Sequence, residues 1–83
     1  MEEIKPGIYK HFKGKFCEVI CTAKHSDKDE FLVIYRGVND GGHFARPTES
    51  FLETAIDKDG NTVPRFTPAT LNEIESLKTQ KLI

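Results

Sequence analysis

Three arginines, the only ones in the 83-residue chain, each stand next to an aromatic residue or two positions from one: Tyr35-Arg36, Phe44-Ala45-Arg46-Pro47 and Pro64-Arg65-Phe66. A guanidinium is a planar fork of donors that grips a carboxylate, a phosphate or a base edge, and a neighbouring ring can stack a flat ligand. Together with His25, Ser26, Tyr35 and Phe44, the arginines at 36, 46 and 65 make a candidate site for an anionic or planar ligand. The same charges could instead tie strand ends together through Asp27, Glu30, Glu49 or Glu53, and residue types leave both readings open. Asn39-Asp40-Gly41-Gly42 tolerates positive φ and reads as a short turn. A hairpin centred near residue 41 sets Arg36 across from Arg46 within a residue of register. Like charges so placed repel by about a few tenths of a kcal/mol unless an anion lies between them.

The other reactive residue types give weaker constellations. Cys17, Cys21 and His25 lie four residues apart, and in a regular strand neighbours on one face are then about 13 Å apart. One metal ion holds its ligands within about 2.3 Å, and a disulfide needs Cα atoms about 4.4–6.8 Å apart. The spacing therefore predicts no metal and two free, buried thiols. His25-Ser26 has the residue types of a base and nucleophile, but adjacent residues of an extended chain point to opposite faces. His11 and His43 are candidates by composition only, and no Gly-x-Ser-x-Gly elbow occurs. Gly37, Gly41 and Gly42 bridge two strands and lead into no helix opening with Lys-Ser or Lys-Thr, which excludes a phosphate loop. Residues 5 to 15 carry Lys5, Lys10, Lys13 and Lys15 without an acid. With the rings of Tyr9 and Phe12, Lys10, Lys13 and Lys15 form the alternative site, a stacking-plus-charge surface for RNA or DNA.

These residues must be positioned by short strands. Period-two runs rich in aromatic and β-branched residues cover residues 7–12, 16–25, 31–38 and 43–46, separated by Lys13-Gly14, Ser26-Asp27-Lys28-Asp29 and the turn after Asn39. Residues 48–52 read as one helical turn whose Phe51 covers an end of the sheet, and residues 53–56 and 62–66 flank a turn at Asp57-Lys58-Asp59-Gly60-Asn61. Five or six short strands leave exposed edges unless the sheet curls closed, so the expected fold is mainly β, a small SH3-like barrel. Its core is expected at Val19, Ile20, Val33, Ile34, Tyr35 and Phe51. After Pro68 the period changes. Leu71, Ile74 and Leu77 recur at helical spacing, and Thr70-Leu71-Asn72-Glu73 reads as a capping box opening a C-terminal helix within residues 68–80.

Length and charge bound the function. Eighty-three residues make one domain, with a core that removes only about 60–65% of the unfolded surface from water. Six Phe and two Tyr supply the bulk to close it without metal or disulfide. Twelve Lys and Arg against thirteen Asp and Glu give a net charge of −1, which excludes the strongly basic balance of backbone-driven nucleic-acid binding. No apolar run approaches the roughly 20 residues of a membrane span, and the acidic opening Met1-Glu2-Glu3 lacks the positive charge of a signal peptide. The expected compartment is the cytoplasm. No cofactor motif occurs.

Residues Lys5-Pro6-Gly7-Ile8-Tyr9-Lys10-His11-Phe12-Lys13-Gly14, Ala23-Lys24-His25-Ser26-Asp27, Val33-Ile34-Tyr35-Arg36, Phe44-Ala45-Arg46-Pro47 and Pro64-Arg65-Phe66, in that order, resemble the bacterial family catalogued as domain of unknown function 1653. The resemblance spans about residues 5 to 67 and implies a small bacterial cytoplasmic protein without an established activity. Cys17, Phe44 and Asp27 stand where that pattern tends to have Tyr, Trp and Glu. The leading functional expectation is a ligand-binding or interaction module, the ligand a small anionic or planar molecule or a protein segment. A nucleic-acid module is the alternative and a small hydrolase the third class.

Overall fold

The computed structural model describes residues 4–83. Its strands fall where the alternating runs predict them: β1 is Gly7–His11, β2 Phe16–Lys24, β3 Phe31–Gly37 and β4 His43–Pro47, all antiparallel neighbours. The helical turn α1, Thr48–Leu52, follows β4 directly, and β5, Thr54–Ile56, and β6, Thr62–Pro64, form a separate hairpin. The chain then bends at Arg65 into β7, Phe66–Pro68, which pairs with β1. One sheet therefore has the order β4-β3-β2-β1-β7 and the other only β5-β6.

The expected closed barrel is not found. β4 and β7 are the two edges of the large sheet and do not pair, because the intervening strands β5 and β6 pair with each other. The two sheets are joined through the Arg65 backbone instead: its N–H donates to the Glu53 carbonyl at 3.0 Å and its C=O accepts from the Phe12 N–H at 2.9 Å.

One face of the large sheet carries the core, made of Ile4, Cys17, Val19, Val33, Tyr35 and Phe51, with Tyr9 and Phe66 packed against it. Val33 is wholly removed from water, a burial that contributes about 1.5–3 kcal/mol. Two expected core residues are not there. Ile20 is 43% exposed and Ile34 only half-buried, since each follows a core residue, Val19 or Val33, and alternation turns it to the other face. The β2–β3 register also slips between Val19 and Cys21. Ile20 is the extra residue of a β-bulge, and beyond it the facing of β2 reverses. Cys17 is therefore buried on the core side while Cys21, opposite Ile34, is exposed on the other face. This corrects the shared face expected for the two thiols, and both are free.

On the outer face lies α2, Leu71–Thr79, opened by the predicted capping box: Thr70 Oγ1 accepts from the Glu73 N–H at 3.1 Å, and Glu73 Oε1 accepts from the Thr70 N–H at 2.9 Å. Leu77 is its buried anchor and Lys10 pairs with Glu73 at 3.0 Å, whereas Leu71, expected on the packing stripe, is exposed. Among the described residues no helix is long and apolar enough to cross a membrane.

Candidate functional site

Three of the expected site residues, Tyr35, Phe44 and Arg46, share the core face of the large sheet, and the charge of Arg65 acts on His11 beside them. Val33↔Arg46 and Tyr35↔Phe44 are direct cross-strand pairs of β3 and β4, so all four side chains share the face of the core. His11↔Phe66 is the matching pair of β1 and β7. Phe66 stacks on Phe51 with centroids 4.2 Å apart and 4° between planes, and its edge meets Tyr35 at 5.9 Å and His11 at 5.0 Å. Arg46 lies over this stack, its guanidinium carbon 5.8 Å from the Phe66 centroid. The Tyr35 hydroxyl accepts from Arg46 Nε at 3.4 Å, and Ser50 Oγ on α1 accepts from Nη1 at 3.1 Å. Arg65 is fixed from the other side by the bend between β6 and β7, where both of its backbone groups are bonded.

Among the described residues the charges at this face do not balance. Arg46 has only hydroxyl partners among the described residues. Arg65 reaches one carboxylate, Glu53, at 3.8 Å, and that side chain is 58% exposed. The Nε of Arg65 is buried and unpartnered. His11 responds to the arrangement: burial first, then the charges of Arg65 and Arg46, then those of Lys13 and Lys15, hold its pKa below the ordinary value. Its Nδ1 accepts from the Lys13 N–H at 3.1 Å, which leaves Nε2 as the N–H of the neutral ring. Next to these cations Phe44 is 46% exposed with its ring stacked on Tyr35 at 5.6 Å, an open apolar surface. Both arginines are half-buried, and the buried Arg65 Nε is costly to leave without a hydrogen-bond partner. An anion placed among Arg46, Arg65 and His11 Nε2 supplies those partners through charge-assisted bonds.

Arg36 does not belong to this set. The β3–β4 ladder pairs it with His43 rather than Arg46, a register three residues from the expected one, and an odd shift sends Arg36 to the opposite face. The cause is the turn: the Gly37 N–H donates to the Gly42 carbonyl at 2.8 Å and the Gly41 N–H to the Gly37 carbonyl at 2.9 Å, with Gly41 at φ +72°. The loop thus begins at Val38 and includes it. On its own face Arg36 donates from Nε to Glu18 Oε1 at 2.7 Å across the β2–β3 ladder. His25 and Ser26 lie in the turn after β2, and His25 Nδ1 accepts from the backbone N–H groups of Asp27 and Lys28 at 3.0 and 3.2 Å. That imidazole holds its own loop.

The lysine stretch is divided as well. Tyr9 faces the core, its hydroxyl donating to the Lys5 carbonyl at 3.0 Å, while Lys10 on the other face is paired with Glu73. Lys13 lies near the Phe12 ring at 5.9 Å, in the turn with exposed Lys15. Tyr9, Lys10, Phe12, Lys13 and Lys15 do not form one continuous stripe. Burial raises the Cys17 thiol to about 11, which keeps it protonated and unreactive.

Sequence reasoning missed His11, Ser50 and Phe66 as site members. Phe66 was visible only as the neighbour of Arg65, and His11 only as one of three histidines. For His11 and Phe66 the common signal is strand parity from the β1–β7 pairing, which joins residues 55 positions apart.

A family model described as a protein of unknown function, DUF1653, matches residues 7–68. Among solved structures, the chain is similar to the crystal structure of a protein belonging to DUF1653 from Bordetella bronchiseptica. That likeness has 26% sequence identity and a TM-score of 0.73, covering 83% of this chain and 91% of the other. No curated protein matches the chain.

Proposed function

The chain belongs to the DUF1653 family, whose function is unknown, and from that premise we propose that it is a binding module for an anionic ligand. The site is Arg46, Arg65 and His11 on the stack of Phe66, Tyr35 and exposed Phe44. One observation carries the reading. Arg46 lies over the Phe66 ring, the charges of Arg46 and Arg65 both act on His11, and among the described residues the only carboxylate paired with either arginine is the largely exposed one of Glu53. A structural role for these arginines would call for a matching acid, as Arg36 has in Glu18. The scaffold is read as an SH3-like barrel left open between β4 and β7, and the compartment as the bacterial cytoplasm, in keeping with two free thiols.

Titration of the isotope-labelled protein with inorganic phosphate, followed by nuclear magnetic resonance, tests the proposal. Saturable shifts at the Arg46 and Arg65 Nε–H groups and the His11 ring, absent at Arg36, are expected. Uniform weak shifts over all lysines and arginines would contradict it.

A further inference from the structure

We propose that the anion this site takes is an acidic side chain of an extended peptide that adds to the large sheet as a further strand along β4. The inference rests on the anion-binding reading above and specifies its ligand. The Gly37 N–H bonded to the Gly42 carbonyl fixes the phase of the β3–β4 ladder. In an antiparallel pair bonded and unbonded positions alternate, so 35↔44 and 33↔46 carry the ladder bonds and 36↔43, 34↔45 and 32↔47 do not. The N–H and C=O groups of His43 and Ala45, and the C=O of Pro47, therefore point away from β3. β4 is the edge of its sheet, and β5, the next strand in the chain, pairs only with β6. Natural edges are blunted by lysines, prolines or inward charges; His43-Phe44-Ala45-Arg46-Pro47 has no lysine, a proline at its last position only, and one inward charge, Arg46, which an acidic partner would neutralise.

Side-chain placement identifies the occupant. Phe44 and Arg46, whose own backbone bonds go to β3, would stand in the unbonded positions of the new ladder. There facing Cα atoms come within about 4.5 Å and side chains are closest. An acid opposite Arg46 and an apolar residue opposite Phe44 are two residues apart in the peptide, on the face where the charge is uncompensated. Main-chain pairing would supply affinity and these two positions the selectivity. A second copy of the chain fits less well, since its own β4 brings another arginine and no acid to Arg46.

The probe is a fluorescein-labelled peptide of Thr and Val residues with one glutamate two positions before a phenylalanine. Saturable anisotropy is expected. Affinity should fall about tenfold or more when glutamine replaces the glutamate or in Arg46→Gln. Binding should vanish when the peptide amide that pairs with the Ala45 carbonyl is N-methylated. Ala45→Pro removes the outward N–H while leaving the bonds to β3, and should also abolish binding. In the parent protein the bound peptide should slow hydrogen exchange of the Ala45 amide. Binding indifferent to N-methylation, without protection of Ala45, would overturn the proposal. If inorganic phosphate shifts His11 and Arg65 while the peptide leaves Ala45 unprotected, the edge inference falls and the anion site stands; if neither acts, both fall. Protection of Ala45 without peptide, together with a doubled mass in sedimentation, would make the occupant a second copy and also overturn it.

Discussion

Arg36 and Arg46 belong to one hairpin, ten residues apart, and face opposite sides of the same sheet. On the outer side Arg36 meets Glu18 across the ladder, with 27% and 41% of the two side chains exposed. On the core side Arg46 meets two hydroxyls and a ring, and Arg65 adds to its charge instead of offsetting it, beside a His11 whose pKa is held low. Neither residue type nor adjacency to an aromatic distinguishes these arginines. Strand parity and the position of one glutamate do. The first arginine is a cross-strand tie, and the second is set up to be completed by something outside the chain.

The comparison can be broken most severely at the stack that supports the core side. Phe51, 2% exposed and packed face to face with Phe66, should cost about 3–5 kcal/mol when replaced by Ala. The whole stability of a domain this size is about 4–12 kcal/mol. Phe51→Ala should therefore lower the thermal midpoint drastically and abolish anion binding with it. Phe51→Leu, costing about 1.5 kcal/mol or less if the site repacks, should weaken binding while the fold persists.

A double-mutant cycle over Glu18→Gln and Arg36→Gln gives the next effect. Both side chains are partly exposed, so solvent screens the pair and the coupling should be about 0.2–1 kcal/mol, shrinking with added salt. Arg46→Gln, measured by the same denaturant melts, should leave stability equal or slightly raised. A loss at Arg46 as large as that at Arg36 would erase the distinction between the two faces.

The smallest effect is in pH dependence. Because the His11 pKa is lowered in the folded protein, the unfolded chain takes up that proton first as the pH falls. His11 should therefore have no influence above its ordinary titration range near 6.5. Below that it should reduce stability progressively, and the reduction should level off once the pH passes under the folded value. Arg65→Gln removes the largest neighbouring charge and should move the His11 titration upward, read from its ring resonances. An unmoved titration would mean that burial alone sets it.

Strand positions, the helical turn with Phe51, and the capping box at Thr70 were legible because each rests on local pattern. What was not legible depends on parity. Val19-Ile20-Cys21 are three consecutive apolar residues, a break in alternation that marks the bulge, yet a regular strand through them places Cys21 on the core face, where it is not. Likewise Gly41 attracts the turn centre, while the chain closes it between Asn39 and Asp40 by drawing Val38 into the loop and burying it. Each slip is odd, and each carries side chains to the other face. Tyr35, Phe44, Arg46 and Arg65 assemble regardless, whereas Arg36 is removed by the second slip and His25 by its bonds to its own turn.

The most direct test of the central claim is the thermal midpoint of the parent and of the Arg46→Gln, Arg65→Gln double variant, with and without inorganic phosphate. The parent should gain stability as phosphate is added, by mass action on the folded state. The double variant should start at or above the parent's phosphate-free midpoint and gain nothing. A double variant that melts well below the parent, with a parent indifferent to phosphate, would contradict the account and make Arg46 and Arg65 structural.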